Sequence, residues 1–370
     1  MKKAAKPWIM NLGMYEAGRP IEEVARELGF ESTDDIIKVA SNENALGPSP
    51  KAVQAMRKAA AKMHLYPDGG AFYLRRKLAG KFSLAPEQIM VANGSNEIIE
   101  FIGHVFLAPG DEMIMADRAF AIFRLVGLMF QANVVSVPMK NFKHDLPAML
   151  KAITPRTKVV FIANPNNPTG TRVRNEDLYD FLDRVPEHVV VAMDEAYVEL
   201  LPAGEQPDLL RYVRGGRRII VLRTFSKSYG LAGLRVGYAL APAEGIELMQ
   251  RVRQPFNVSA MALAAAEAAL DDAGHLEKTR EMVASGLAFF EKHLAALKLP
   301  FVPSCANFLL VNVGRGREVF KAMQKEKVIV RPMDGYGLPD HVRISVGLPS
   351  ENARCIRALA GVLGRKPPEI

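Results

Sequence analysis

Between Gln88 and Leu240 the chain repeats one pattern seven times: a short apolar run, rich in β-branched residues, closed by turn formers. The runs are "QIMVAN", "DEMIMA", "NVVSVP", "KVVFIA", "HVVVAMDE", "RIIVLRT" and "RVGYAL". They lack the polar alternation of a half-solvated strand, so they predict strands buried on both faces. Helical stretches at 95–107, 120–131, 175–184 and 208–214 separate most of them. This alternation constrains the fold strongly: an α/β architecture, with a mostly parallel seven-stranded sheet sandwiched by helices. No crossover helix lies between "RIIVLRT" and "RVGYAL", which predicts an antiparallel strand there.

Beyond Pro255 the texture changes. The alanine-rich stretch 259–273 and the stretch 275–297 predict long helices, the second crossing between domains. Strands near 307–313, 328–331 and 341–346 then alternate with helices near 315–326 and 350–363, which predicts a smaller α+β domain. The N-terminal segment is expected to complete it, through the helix "PIEEVARELG" and the extended piece "DIIKVASNEN". A turn at "GPSP" and a helix from Lys51 to about Met63 follow. The expected division is a large domain over 42–256 and a discontinuous small domain over 1–41 and 257–370.

Several classes of function are excluded at this level. No apolar run approaches the length that spans a bilayer, so no membrane role is expected. The opening "MKKAAKPWIM" has basic residues but no apolar stretch behind them, which predicts a cytoplasmic protein. Cys305 and Cys355 form no C-x-x-C pair, and the seven histidines show no ligand spacing, so no metal is expected. The formal charge of +8 is dispersed, and its densest cluster, "RYVRGGRR", is short. It predicts a solvated basic surface rather than a nucleic-acid partner.

In open α/β sheets, ligands bind outside the carboxyl ends of the strands. Four stretches sit there. "NGSNEIIEF" follows "QIMVA", and Gly94, Ser95 and Asn96 would present backbone N–H groups at a helix start. That is a phosphate site, or simply an N-cap. "NPNNPTG", 164–170, is a constrained turn compatible with a cis proline. "DEAYVE" places Asp194 at a buried strand end, where the carboxylate needs a partner or a proton. A protonated ring nitrogen suits it, and Tyr197 could reach an oxygen on the same ring; a turn cap explains the motif equally well. In "TFSKSYGLAGLR", Lys227 is an amine able to attack a carbonyl once desolvated, and Ser226 and Arg235 suit a phosphate. Gly230 and Gly233 would let backbone pass close to the ligand. One small molecule explains all four: an aromatic aldehyde carrying a phosphate and a basic ring nitrogen, which is pyridoxal 5'-phosphate.

Together with "SNENALGPSP", "YPDGGAFYLRRKLA", "ANFLLV" and "RPMDGYGLPDHVRISVG", these stretches resemble the fold-type I, pyridoxal-phosphate-dependent aminotransferases along nearly the whole chain. Within them the chain is similar to the histidinol-phosphate aminotransferase family. The resemblance implies that Lys227 binds the cofactor covalently and shuttles the proton. Asp194 would partner the pyridine nitrogen, and Tyr197 and Asn167 the ring oxygen. Gly94, Ser95, Asn96, Ser226 and Arg235 would surround the phosphate, with Phe120 stacked on the ring and Thr224 also touching the cofactor. Tyr66 would reach the phosphate of a neighbouring subunit's cofactor, which implies a homodimer with shared sites. Tyr15, Asn44, Arg331 and Arg343 would contact substrate. Two departures stand out: Ala45 where proline is common, and Phe123 where many relatives carry tyrosine, so a polar contact to substrate is expected to be missing. The implied reaction is transamination between L-histidinol phosphate and 2-oxoglutarate in histidine biosynthesis. Aromatic or other amino-acid aminotransferases and threonine-phosphate decarboxylase share the cofactor motifs. A transcription regulator of this type would need a DNA-binding module ahead of Ser41, and the segment there is too short.

Overall fold

A computed structural model describes residues 1–14 and 18–369. Its strands, in chain order, are β1 (Ile37–Lys38), β2 (Ile89–Ala92), β3 (Glu112–Ala116), β4 (Asn133–Val137), β5 (Thr157–Ala163), β6 (Val190–Asp194), β7 (Ile219–Thr224), β8 (Gly237–Leu240), β9 (Phe301–Val302), β10 (Phe308–Asn312), β11 (Val328–Ile329), β12 (Arg331–Pro332) and β13 (His341–Ser345). The seven apolar runs are β2 to β8. They form one sheet in the order β2-β8-β7-β6-β5-β3-β4. Only β8 runs against its neighbours, because residues 225–236 hold no helix that could carry the chain back across the sheet.

Side chains alternate across the sheet. Val160 and Ile162 of β5 enter a core with Leu78, Phe181 and Tyr238, while Val159 and Phe161 enter the opposite one with Ile98, Ile102 and Phe123. β4 differs from expectation: as the edge strand it leaves Asn133 and Ser136 exposed. The helix Phe72–Phe82 was not anticipated, and its start shows why. Ala71 is left-handed and caps nothing; Asp68, three residues before it, accepts from the Gly70 and Phe72 amides at 2.8 and 2.7 Å. Helices Leu146–Lys151 and Ala243–Gln250 are also additional.

A separate core joins the two ends of the chain. Val24, Ala25, Ile36 and Val39 pack with Phe290, Leu294, Leu309, Ile344 and Ile356. Its antiparallel sheet has the order β12-β13-β10-β9, and β1 pairs in parallel with β11. The strand expected over 328–331 is therefore two: β11 faces β1, and β12 turns to β13, where Pro332 has no N–H to extend the ladder. Helix Ala260–Ala269 belongs elsewhere. Its Ala262, Ala265, Ala266 and Ala269 share a core with the large sheet, and small side chains let it lie close against helix Pro50–Ala60. The chain crosses to the terminal core only within helix Ala273–Ala296, whose Phe290 and Leu294 lie there. Among the described residues no helix is long and apolar enough to cross a membrane.

Candidate active site

A cavity of about 290 Å³ lies at the carboxyl ends of β5, β6 and β7. Ser95, Asn96, Ser226 and Arg235 line one end; Asn167, Asp194 and Tyr197 the other; Phe120, Thr224 and Lys227 complete the wall.

The first end is built to receive an anion. Helix Ser95–Phe106 opens here with no capping side chain, behind Gly94 at φ +77. A Cβ on Gly94 would lie 2.6 Å from Arg235 Nη2, so only glycine leaves the guanidinium in place. A Cβ on Gly237 would similarly press on the Ser95 amide at 2.6 Å. Arg235 Nη1 donates to Ser226 Oγ at 3.4 Å, and the Ser226 amide to Thr224 Oγ1 at 3.1 Å. Backbone donors, a hydroxyl and a fork-shaped cation thus converge without a net negative group.

The other end is set by burial. Asp194 closes β6 and is 6% exposed. Its Oδ1 accepts from the Ala196 amide at 3.0 Å, yet desolvation still pushes the carboxyl up to about 6. A cationic ring nitrogen would restore its charge. Tyr197 Oη accepts from Asn42 Nδ2 at 2.9 Å, and burial raises the phenol well above its usual value, so it keeps a proton to donate. Asn42 is itself fixed: its amide donates to Ser345 Oγ at 2.9 Å, and Ser345 donates back to its Oδ1 at 3.0 Å. Asn167 lies on a turn with two cis peptides, Asn164–Pro165 and Asn167–Pro168. Its Oδ1 accepts from Arg343 Nη1 at 2.5 Å, which leaves its Nδ2 as a donor; Arg343 Nη2 also donates to Ala40 O at 2.8 Å.

Lys227 stands between the two ends. Its Nζ donates to the carbonyls of Ser41 and Asn42, each at 3.2 Å. Burial first, then the nearby Arg343 charge, lowers the amine to about 8. That makes it a nucleophile and base near neutral pH.

The structure gathers ten of the expected residues around one cavity, with Gly94 and Arg343 directly behind it. Others fall elsewhere. Asn44 does not line the cavity: its Nδ2 donates to Ser228 O and Thr279 Oγ1, and its Oδ1 caps the Leu46 amide. Arg331 lines an adjacent, larger cavity. Tyr66 is 83% exposed and stacks on Phe256 at 4.8 Å. Tyr15 lies outside the described residues. Phe123 lines neither this cavity nor its neighbour; it is fully buried, stacked on Phe161 at 4.6 Å, and braces Phe120 edge-on. Gly230 also has a different reason, since a Cβ would lie 2.2 Å from Gly47 O in the "GPSP" turn, while Gly233 is open. Asn42 was missed. It lies in the quoted string "SNEN", but nothing in that string says which asparagine turns inward.

A sheet of this order, with an amine, a buried carboxyl and an anion cradle at its carboxyl ends, matches what the sequence comparisons return. The chain belongs to the class I and II aminotransferases, whose family model matches residues 34–359. It is 49% identical to the histidinol-phosphate aminotransferase of Akkermansia muciniphila, over 97% of this chain and 98% of that one. It is 46% identical to histidinol-phosphate aminotransferase 2 of Pseudomonas fluorescens, over 98% of each. Among solved structures, histidinol-phosphate aminotransferase from Sinorhizobium meliloti in complex with pyridoxal-5'-phosphate matches with a TM-score of 0.89 and 26% identity, covering 98% of both chains. A Thermus thermophilus aspartate aminotransferase variant, 24% identical, shares the fold with a TM-score of 0.85 over 98% of this chain and 99% of that one.

Proposed function

We propose that this aminotransferase moves an amino group between L-histidinol phosphate and 2-oxoglutarate, giving imidazole-acetol phosphate and glutamate, a step of histidine biosynthesis. One observation carries the reading: a single cavity joins a buried amine, a buried carboxyl in want of a cation, and an anion cradle that a Cβ at Gly94 would fill. Those features fit pyridoxal phosphate. Ser95, Asn96, Ser226 and Arg235 would hold its phosphate, Asp194 its ring nitrogen, Tyr197 and Asn167 its ring oxygen, and Phe120 its face. When bound, it supplies an aldehyde that takes the amino group and a protonated ring that delocalises the electron pair left on the substrate carbon.

The rest is done by the chain. Asp194 keeps the ring nitrogen protonated, because a buried carboxylate is stable only beside a cation. Lys227, lowered to about 8, moves the proton at the substrate's amino-bearing carbon. Arg343 orients Asn167 through the 2.5 Å bond and places a positive charge where a carboxylate or phosphate would bind. The partner is a second copy of this chain: Tyr66, Tyr73, Phe72 and Leu65 form an exposed patch, each at least 52% exposed, that a dimer would cover. A cytoplasmic setting agrees with Cys305 and Cys355 both being free thiols.

Lys227→Ala is expected to abolish turnover while far-UV circular dichroism stays unchanged. Borohydride reduction and peptide mapping should place the cofactor on Lys227; label on another lysine overturns the assignment. A panel of amino donors and acceptors, followed through the cofactor's visible absorbance, should favour histidinol phosphate over aromatic amino acids. Carbon dioxide release from an amino-acid phosphate would point to decarboxylation instead.

A further inference from the structure

Beside the cofactor cavity lies a second one, of about 550 Å³, and the two share a wall. Arg118, Ala119 and Ala121 line the larger, while Phe120 and Ile122 line the smaller, so residues 119–122 alternate between them. The far wall carries Arg331, which is in register with Arg343 across β12 and β13.

The larger cavity is basic. Its described lining brings together Arg118, Arg124, Arg317 and Arg331 with the carboxylates of Asp117 and Asp334. Most of these groups are engaged. Arg317 donates to Asp334 Oδ2 through Nε and Nη2 at 2.9 and 2.7 Å. Arg124 reaches Ser136 Oγ at 3.4 Å, and Asp117 accepts from the Met139 amide at 3.0 Å. Arg118 is different. Its backbone is pinned, since its carbonyl accepts from Asn166 Nδ2 at 3.0 Å on the cis-proline turn. Its half-buried guanidinium, however, makes no hydrogen bond or ion pair to another described residue. A fork of five donors thus springs from a pinned backbone beside the cavity proposed for the cofactor, with none of its donors committed to another described residue.

We propose that Arg118 is a specificity-determining residue that binds the phosphate dianion of the amino substrate in this second cavity, on the wall facing Arg331. The assignment rests on the reading of the substrate as an amino phosphate. An unphosphorylated amino acid leaves Arg118 unused, so the residue discriminates between substrate classes and takes no part in proton transfer.

The test compares wild type, Arg118→Ala and Arg118→Lys as holoenzymes, with histidinol phosphate and with histidinol as amino donors. Arg118→Ala should lower kcat/KM for histidinol phosphate about tenfold or more, through KM rather than kcat, and by a factor at least tenfold greater than for histidinol. Arg118→Lys should recover part of the loss. A second readout needs no turnover: inorganic phosphate, titrated calorimetrically into holoenzyme in phosphate-free buffer, should bind Arg118→Ala at least fivefold more weakly than wild type. Equal losses with both donors, or unchanged constants in both assays, overturn the proposal. If wild type rejects histidinol phosphate but binds inorganic phosphate through Arg118, the substrate reading fails and the subsite stands. If wild type uses histidinol phosphate and Arg118→Ala changes nothing, the subsite fails and the substrate reading stands.

Discussion

Tyr197 and Glu199 sit two residues apart on one buried turn and meet opposite fates. Tyr197 has a donor waiting in Asn42, so its oxygen already accepts a hydrogen bond before any ligand binds. Tyr197→Phe strands that buried Nδ2, and an unpaired buried polar group costs about 1–3 kcal/mol. Urea denaturation should show a loss of that size; no loss would mean that Asn42 finds another acceptor. Glu199 is 5% exposed, and neither carboxylate oxygen has a hydrogen bond. Burial raises it from 4.5 to about 7, against the pull of Arg223. The sign follows: between about 4.5 and 7 the folded chain holds a proton that the unfolded chain has lost, so stability falls as pH rises through that window. Glu195, also raised by burial despite its bonds to Arg223, adds in the same direction. The slope should reach about 1.4 kcal/mol per pH unit for one proton, and Glu199→Gln should flatten it. Parallel slopes in wild type and variant would remove Glu199 from the account.

At the scale of elements, the anion cradle depends on how helix Ser95–Phe106 begins. Gly94 has a left-handed φ and a guanidinium where a Cβ would go. Gly110, at φ +91, has the same backbone restriction with nothing within 4 Å. Alanine at either position should cost about 1 kcal/mol in stability for the positive φ. Only Gly94→Ala should also weaken cofactor retention, by about tenfold or more, measured as the dissociation constant after removal and titration of pyridoxal phosphate. Equal retention in the two variants would argue against Arg235 as a phosphate ligand. The glycines show what a motif carries on its face. The glycine that Arg235 needs, Gly94, lies in another string, whereas within "TFSKSYGLAGLR" Gly230 answers to the distant Gly47 carbonyl and Gly233 is open, none of which the string itself reveals.

For the whole molecule, we propose a boundary at the start of helix Ala273–Ala296 rather than at residue 257, with the large unit over 42 to about 272 and a small unit made from both chain ends. The shared core of helix Ala260–Ala269 and the large sheet supports it. The dimer reading belongs at this scale too. Tyr66 is absent from its own subunit's cofactor cavity and exposed beside Phe256. Mixing Lys227→Ala with a Tyr66→Ala variant should restore up to about a quarter of wild-type activity if hybrids form and each pairs one intact lysine with one intact tyrosine. Hybrids confirmed by mass, yet without recovered activity, would place Tyr66 in its own subunit's site or outside any site.

The sequence by itself determined the sheet, because continuous apolar runs cannot tolerate water on either face, and it determined most of the residues that line the cavity proposed for the cofactor, because they follow those runs directly. Lys227, Asp194, Asn167 and Ser95 were legible for that reason. Tertiary structure decided what depends on contacts far apart in the chain. Asn42 meets Tyr197 from 155 residues away, and Arg343 meets Asn167 from 176. Asn44, a neighbour of the same type as Asn42, was drawn into internal bonds instead. Polar side chains of one kind are interchangeable in a string. They become distinct only when packing removes water from them and each must find a partner within about 3 Å.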